Sequence, residues 1–420
     1  MSQAKGDDAR GAAAAEAARS TLVGLSWLNF LVAMLQTGFG SFVAINLLSA
    51  HWTNTEVGVA LSVASIAGIV AQVPAGVMVD ATPRKRVAVG LAVLAITLAA
   101  FVIAFWQRHI VVMGAMAMQG AASAVLGPAI AALSLALVPH ANFGDRIGLN
   151  VRYAALGTAL AAGAMGVVGM ELSTQIALML SGVFGVMALG ALRSVRGADL
   201  KRAHEITDHV AVQPRAEAIT WREVVAMMRN RNLAVFGLCL MLFQLGNAGL
   251  LPLAIGTVVH HSGGRANLIV AAAVIVSQGM TAILSTPFSR MARLRGRRPV
   301  LLIGLAAVSV KATLFAFDGD PVLIVLIQSI DAIPAAAMGL IVPLVVADIT
   351  RRTGHFNLAL GLVGFTLSVG ATFGTVMAGA LADRFGVSLA FGVLASIGVL
   401  ATLLARVGLP EFGGTASRAK

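Results

Sequence analysis

Charge is what this chain has least of. Only 11% of its 420 residues are Asp, Glu, Lys or Arg, against 58% hydrophobic. A soluble domain carries roughly a quarter of its residues charged, so a water-soluble globular chain is excluded. Cysteine is nearly absent as well. Cys239 stands alone, which rules out an intrachain disulfide and a cysteine metal cluster. No Gly-x-x-x-x-Gly-Lys-Ser/Thr occurs, so no P-loop is present to bind ATP. The histidines are scattered at loop and tail positions, and the pair His260–His261 has no further ligand at metal-binding spacing. Nothing points to an enzyme, a metal or an organic cofactor.

What the chain has is long apolar runs, with a mean hydropathy of +0.89. A membrane-spanning helix needs about 20 apolar residues. Twelve stretches qualify: 22–49, 55–79, 87–106, 110–138, 148–170, 175–195, 233–258, 267–289, 299–317, 322–347, 357–382 and 387–408. Barrel strands would be short and alternating, so the expected class is an all-α membrane protein, its helices packed closely through many of the 45 glycines. Residues 1–21 carry Asp7, Asp8 and Glu16 ahead of a full-length span, so they read as a tail, disordered or Ala-rich helical, and not as a signal peptide.

Sidedness follows from the basic residues. With the N-terminus inside, 25 of the 30 lysines and arginines fall in inner segments, and three (Arg108, Arg265, Arg384) in outer ones. Arg152 and Lys311 fall within spans. This bias places both termini in the cytoplasm and argues against a nucleic-acid surface despite the net charge of +12, because the basic residues sit in short loops. Trp27, Trp52, Trp106 and Trp221 all lie near expected interfaces. The longest connection, 194–232, divides the chain into a first bundle (22–193) and a second (233–408), with 409–420 a second tail. Its end, ITWREVVAMMRNRN, is expected to form an interfacial amphipathic helix with Trp221, Val224, Val225 and Met228 near one face.

The two bundles repeat. PAGVMVDATPRKR (74–86) aligns with PFSRMARLRGRRP (287–299), pairing Pro74 with Pro287 and Arg84 with Arg297 at an offset of 213 residues. Duplicated halves mark transporters. Here the chain resembles the major facilitator superfamily, which has twelve helices in two pseudo-symmetric six-helix bundles. Gly76, Asp80, Arg84 and Lys85 match its Gly-x-x-x-Asp-basic-x-Gly-basic-basic pattern after helix 2, with Ala81 and Pro83 departing from it. After helix 8 the chain keeps Gly296, Arg297 and Arg298 but has Arg293 in place of the aspartate. GALADRFG (379–386), at the end of helix 11, is a third echo read as a loop cap. MAMQGAASA (116–124) resembles a helix 4 pattern of the drug–proton antiporter branch through Gln119 and Gly120, with Met116 where that pattern has arginine. The helix 5 Gly-Pro antiporter motif has no counterpart, since GTALAAGAMGVVG (157–169) lacks the proline.

The resemblance implies a central cavity lined by helices 1, 4, 7 and 10. Each of these holds a glutamine far from its ends: Gln36, Gln119, Gln244 and Gln328. Asn29 and Gly40 share a face with Gln36, Ser123 lies one turn from Gln119, Asn247 lies near Gln244, and Asp331 lies near Gln328. Polar groups in hydrocarbon are costly unless they face protein or water, so these eight side chains are expected to form a shared polar site, with helix–helix hydrogen bonding as the alternative. Asp331 is the only acidic residue well inside a span, about 15 Å deep at 1.5 Å per residue. Three readings stand: a proton or cationic-substrate site, an ion pair with Arg152 or Lys311, or a protonated carboxyl without a role. Arg152 and Lys311 are expected to snorkel to an interface, and Lys311 is also in reach of Asp318 or Asp320.

By the same resemblance, Asp80, Arg84 and Lys85, and Asp348 with Arg297 or Arg298, are expected to hold the halves together on the cytoplasmic side; topology signalling and anionic-lipid contact are the alternative. The expected protein is a secondary transporter of a bacterial inner membrane, exporting a small amphipathic or cationic compound against protons. Its partners would be that solute, protons and membrane lipids, with a monomer sufficing and no nucleic acid involved. Proton-coupled uptake of a small polar metabolite is the alternative, and a non-transporting receptor or scaffold on the same fold is a third class, disfavoured because no soluble domain is present.

Overall fold

The computed structural model describes residues 2–39, 41–82, 84–139, 142–195, 221–254, 266–317, 321–351, 353 and 355–412. Twelve of its helices are long and apolar enough to cross a membrane. Helices 1 to 6 span Arg19–Ser49, Thr55–Ala81, Lys85–Phe105, His109–Leu137, Phe143–Glu171 and Thr174–Ser194. Helices 7 to 12 span Arg231–Ala254, Ala271–Arg295, Arg297–Phe315, Val322–Thr350, Phe356–Phe385 and Val387–Gly408. Helical backbone continues from helix 1 back to Ser2.

The boundaries have local causes. Thr53 caps helix 2 in a reciprocal capping box with Glu56, Ser173 caps helix 6, and Asn230 accepts two N–H groups at the start of helix 7. Gly296 and Gly386 adopt φ of +88° and +87° at the tight joints before helices 9 and 12, a region open to glycine without strain. Helix 1 is interrupted after Thr37 and resumes at Ser41. Helix 10 changes to one 3₁₀ turn, Ser329–Asp331. Pro334 has no N–H to give Ile330, which loosens the helix at that turn.

One apolar core is centred in each half, and that of the second takes in Ala131, Phe143 and Ile147 across the join. Leu25, Leu28, Val93, Ile96 and Leu133 centre the first; Phe236, Leu240, Leu305, Leu340 and Phe391 centre the second. The halves meet through helix 2 on helix 11 and helix 5 on helix 8. Phe143 and Phe356, 213 residues apart in sequence, pack edge to face across the join at 6.2 Å.

The helix Trp221–Met228 forms as expected, but its faces differ from the expectation. Val224 and Met227 are buried, whereas Val225 and Met228 are exposed. Contacts with helices 7 and 11 cover its inner face, which separates Val224 and Met227 from the exposed Val225 and Met228. The side chain of Trp221 lies outside the described residues.

Candidate functional site

Most of the described basic residues lie towards one end of the bundle, here called the basic end. There the halves are joined by two seams. In the first, Asp80 at the end of helix 2 reaches the start of helix 11. Its Oδ1 accepts from the Asn357 N–H at 3.1 Å and from Asn357 Nδ2 at 2.6 Å; its Oδ2 accepts from the Leu358 N–H at 2.7 Å. A carboxylate at a helix N-terminus meets unpaired N–H groups and the positive end of the helix dipole. Helices 2 and 11 approach closely enough that a Cβ at Gly76 would collide with the Asn357 carbonyl, and one at Gly361 with the Gln72 carbonyl.

The second seam joins helices 5 and 8. Asp145 Oδ2 pairs with Arg293, and Asp145 Oδ1 accepts from Ser289 Oγ at 2.8 Å. A Cβ at Gly148 would meet the Ser289 Cβ at 2.8 Å. The repeat offset relates the seams residue by residue. Adding 213 takes Asp80 to Arg293, Asp145 to Leu358, Gly76 to Ser289 and Gly148 to Gly361. The contact Asp80–Leu358 therefore has Arg293–Asp145 as its counterpart, with the acidic partner moved to the other half. Arg293 replaces the aspartate in the second copy of the pattern because its partner across the join supplies the carboxylate.

Of the other residues expected at this end, Arg84 is exposed, its carbonyl accepting the N–H groups of Val87 and Ala88 at the start of helix 3. Lys85 is half-buried beside it. Arg297 pairs with Asp348 and donates to the Leu344 carbonyl. That pair joins helices 9 and 10 inside one half, so it stiffens the second bundle and does not bridge the two. The Arg298 N–H donates to Glu411 at 3.1 Å, and the Arg297 N–H to the Phe412 carbonyl at 3.2 Å. The chain after helix 12 is thus folded against the start of helix 9 and gives it a carboxylate cap.

On the far side of the seams lies a cleft of about 480 Å³ between helices 1, 2, 4 and 11. Its polar lining is Gln36, Ser65, Gln72, Gln119, Ser123, Ser368 and Thr372, with Phe39 and Met116 among the apolar residues. Gln119 Nε2 donates to Ser123 Oγ at 3.0 Å. No charged side chain lines it. Gly120 lies against the Ala64 carbonyl, drawing helices 2 and 4 together beneath the cleft. Met116 is 1% exposed and packs in an apolar cluster with Leu47, Ile103 and Leu178 at the edge of the cleft.

The eight polar residues expected in one cavity do not share it. Gln36, Gln119 and Ser123 line the cleft. Asn29 is buried and donates to Leu25 O of its own helix at 2.8 Å. Gln244 lies beside Gly370 on helix 11. Asp331 and Asn247 belong to a separate cluster in the second half, where Lys311 pairs with Asp331 and donates to Asn247 Oδ1 at 2.8 Å. Lys311 is 1% exposed, so it does not snorkel; Asp318 and Asp320 lie outside the described residues. Arg152 is exposed. Gln328, one turn from Asp331, is 4% exposed, and its Oε1 has no hydrogen-bond partner among the described residues.

Sequence reasoning missed the contributions of helices 2 and 11. Ser65 and Gln72 are seven residues apart, and Ser368 and Thr372 four, so each pair shares a helix face. It also missed Arg146, a 5% exposed arginine whose guanidinium donates to Leu22 O, Ser26 Oγ and Asn150 Oδ1 at 2.6–3.0 Å. Asn150 Nδ2 passes the chain on to Ser134 Oγ at 2.7 Å. This network ties helices 1, 4 and 5 together through neutral acceptors.

Comparison with known proteins places these features in a family. The model of the Major Facilitator Superfamily matches residues 25–279 and 233–418. An uncharacterised MFS-type transporter of Mycobacterium tuberculosis, found in two strains, is 31% identical over 392 residues, covering 92% of each chain. Among solved structures, a variant of the E. coli fucose:proton symporter FucP superposes with a TM-score of 0.67 at 14% identity, over 93% of this chain and 98% of that one. The proton:xylose symporter XylE superposes with a TM-score of 0.68 at 14% identity, over 96% and 97%.

Proposed function

The chain belongs to the major facilitator superfamily, and from that premise we propose that it is a proton-coupled secondary transporter of a small, polar, uncharged solute. The observation that carries this reading is the cleft: seven amide and hydroxyl side chains and no charged one. Amides and hydroxyls both donate and accept, which suits a solute rich in hydroxyl or amide groups. Gln36 and Gln119 reach it from helices 1 and 4, Gln72 from helix 2, and Ser368 and Thr372 from helix 11 across the join. Contributions from both halves are what an alternating-access site needs, because rocking the halves then changes the lining.

The basic end is taken as cytoplasmic, with both termini on that side and the chain in the plasma membrane of a bacterial cell. The conformation is then outward-facing. Asp80 and Asp145 hold the cytoplasmic side shut, and the cleft lies on the outer side. Asp331 is the proposed proton site, since it is a carboxylate inside a span. Export of an amphipathic cation has less support, because the carboxylate that would receive the cation is already paired with Lys311 and does not line the cleft.

The test uses purified protein in proteoliposomes with an imposed inward proton gradient. Labelled monosaccharides, polyols and small amides are compared with cationic amphiphiles. Gradient-driven accumulation of a neutral solute, lost in Asp331→Asn, is the expected result. Discharge of the gradient by cationic amphiphiles alone would replace this reading with antiport of cations.

A further inference from the structure

Lys311 is an unusual residue for its place. It lies one turn from the end of helix 9, close enough to an interface to snorkel, yet its side chain is 2% exposed and turns inward to Asp331. The Asp331 side chain is 22% exposed. Within the pair only the carboxylate therefore reaches the protein surface, while the ammonium is sealed in protein. Asp331 is also the last residue of the 3₁₀ turn that interrupts helix 10, and such mid-helix 3₁₀ turns often mark hinges. Finally, Gln328 presents a buried acceptor without a partner among the described residues, one turn away on the same helix.

We propose that Lys311 is the moving counter-ion of the proton site, shuttling between Asp331 in the outward-facing state and Gln328 once Asp331 is protonated. The proposal rests on the proton-coupled reading above. In the state observed, the ammonium bonds Asp331 and Asn247, tying helices 7, 9 and 10 together at the hinge. A proton arriving from the outer side adds to the Asp331 carboxylate, and no other bond forms or breaks. The ammonium keeps its charge and loses its anionic partner. A buried cation without a counter-ion is costly, so this state favours a rearrangement in which Gln328 Oε1 becomes its acceptor and the outer part of helix 10 turns at residues 329–331. Loss of the proton to the inner side restores the first arrangement.

Among the described residues, no other charged side chain competes at this point. The 3₁₀ turn packs against helices 8 and 9 and the rest of helix 10. Arg290, Arg293 and Arg295 of helix 8, Arg297 and Arg298 of helix 9, and Asp348 of helix 10 are all at the basic end.

The experiment reads conformation, so it needs no solute and its failure is distinct from failure of the transport assay. Cys239 is replaced by alanine, a reporter cysteine is placed at Ser368 in the cleft, and its alkylation by a membrane-impermeant maleimide is followed in proteoliposomes from pH 8 to pH 5, with rates corrected for intrinsic thiol ionisation. The cleft reporter is expected to react about tenfold more slowly at pH 5, as protonation moves the population out of the outward-facing state. The neutral pair Lys311→Met with Asp331→Asn leaves no unpaired buried charge to prevent folding. It should label at the pH 8 rate throughout, within about twofold. Asp331→Asn alone should also lose the pH response, and Gln328→Leu should weaken it at least threefold by about the loss of one hydrogen bond. A pH response retained in the neutral pair, or absent from the parent protein, overturns the switch; a normal response in Gln328→Leu removes Gln328 from it.

Discussion

Removing the Asp80 carboxylate should loosen the join of the halves at the basic end far more than removing Asp145, if that join is the gate proposed above. The perturbation is Asp80→Ala. It deletes one acceptor serving three donors, two of them backbone N–H groups in the first turn of helix 11. Hydrogen bonds to a charged group contribute about 1.5–3 kcal/mol each. Bonds sharing one carboxylate are not additive, and the freed N–H groups regain water when the gate parts, so about 2–4 kcal/mol is the expected net loss. At about 1.4 kcal/mol per factor of ten, the closed join loses roughly 30- to 700-fold against the open one. Asp145→Asn removes an ion pair whose side chains are 40% and 53% exposed. Such a pair contributes about 0.2–1 kcal/mol, at most roughly fivefold. The assay is maleimide labelling of a Ser368→Cys reporter at fixed pH. Asp80→Ala should slow labelling by about tenfold or more, and Asp145→Asn by less than about fivefold. Equal effects, or a larger one for Asp145→Asn, would refute the ranking of the two seams.

Exchanging the partners of the second seam, Asp145→Arg with Arg293→Asp, should restore wild-type labelling where each single reversal lowers it; a double variant as poor as the singles would mean that the pair does not act across the join. Gly361→Val should drive helices 2 and 11 apart, since even a Cβ there meets the Gln72 carbonyl, and cost about 1–3 kcal/mol of the closed state, read by the same reporter. Arg146→Met leaves Ser26 Oγ and Asn150 Oδ1 without the guanidinium donor and the Leu22 carbonyl with Ser26 Oγ as its remaining side-chain donor. About 2–4 kcal/mol of stability should be lost, seen as a fall in Tm of several degrees in detergent; an unchanged Tm would mean that water replaces the guanidinium. Glu411→Gln removes the anionic cap of helix 9 and should cost about 0.3–1 kcal/mol, detected as faster amide exchange at Arg298 and Val300.

The spans were readable because apolar length is a one-dimensional property. Helix 3, expected at 87–106, is found at Lys85–Phe105, and helix 12, expected at 387–408, at Val387–Gly408. Largest errors fall where polar residues extend a helix past the apolar run, as at helix 5, which begins at Phe143 because Asp145 and Arg146 are held by partners on other helices. The site was less readable for a related reason. Periodicity gives the direction of a side chain from its own axis and not the neighbour it meets. Lys311 is within reach of the membrane surface, and only the position of helix 10 shows that Asp331 is nearer. Gln36 and Gln119 share the cleft with Gln72, a residue on a helix that the resemblance did not nominate. The seams were half visible: the offset of 213 aligns Asp80 with Arg293, but a charge reversal between repeats reads as divergence until Asp145 is seen across the join.

That reversal has a mechanical consequence. Two strictly equivalent seams would share a load equally and part together. Here one is a carboxylate locked onto backbone groups and the other is a half-exposed ion pair. Under any torque that separates the halves, the ion pair ruptures first and the carboxylate lock becomes the pivot. Opening is then a peel from the helix 5–helix 8 edge towards the helix 2–helix 11 edge. Added salt should hasten the first stage of that peel and leave the second nearly untouched, so the gate has a built-in order of failure that its near-twofold architecture conceals.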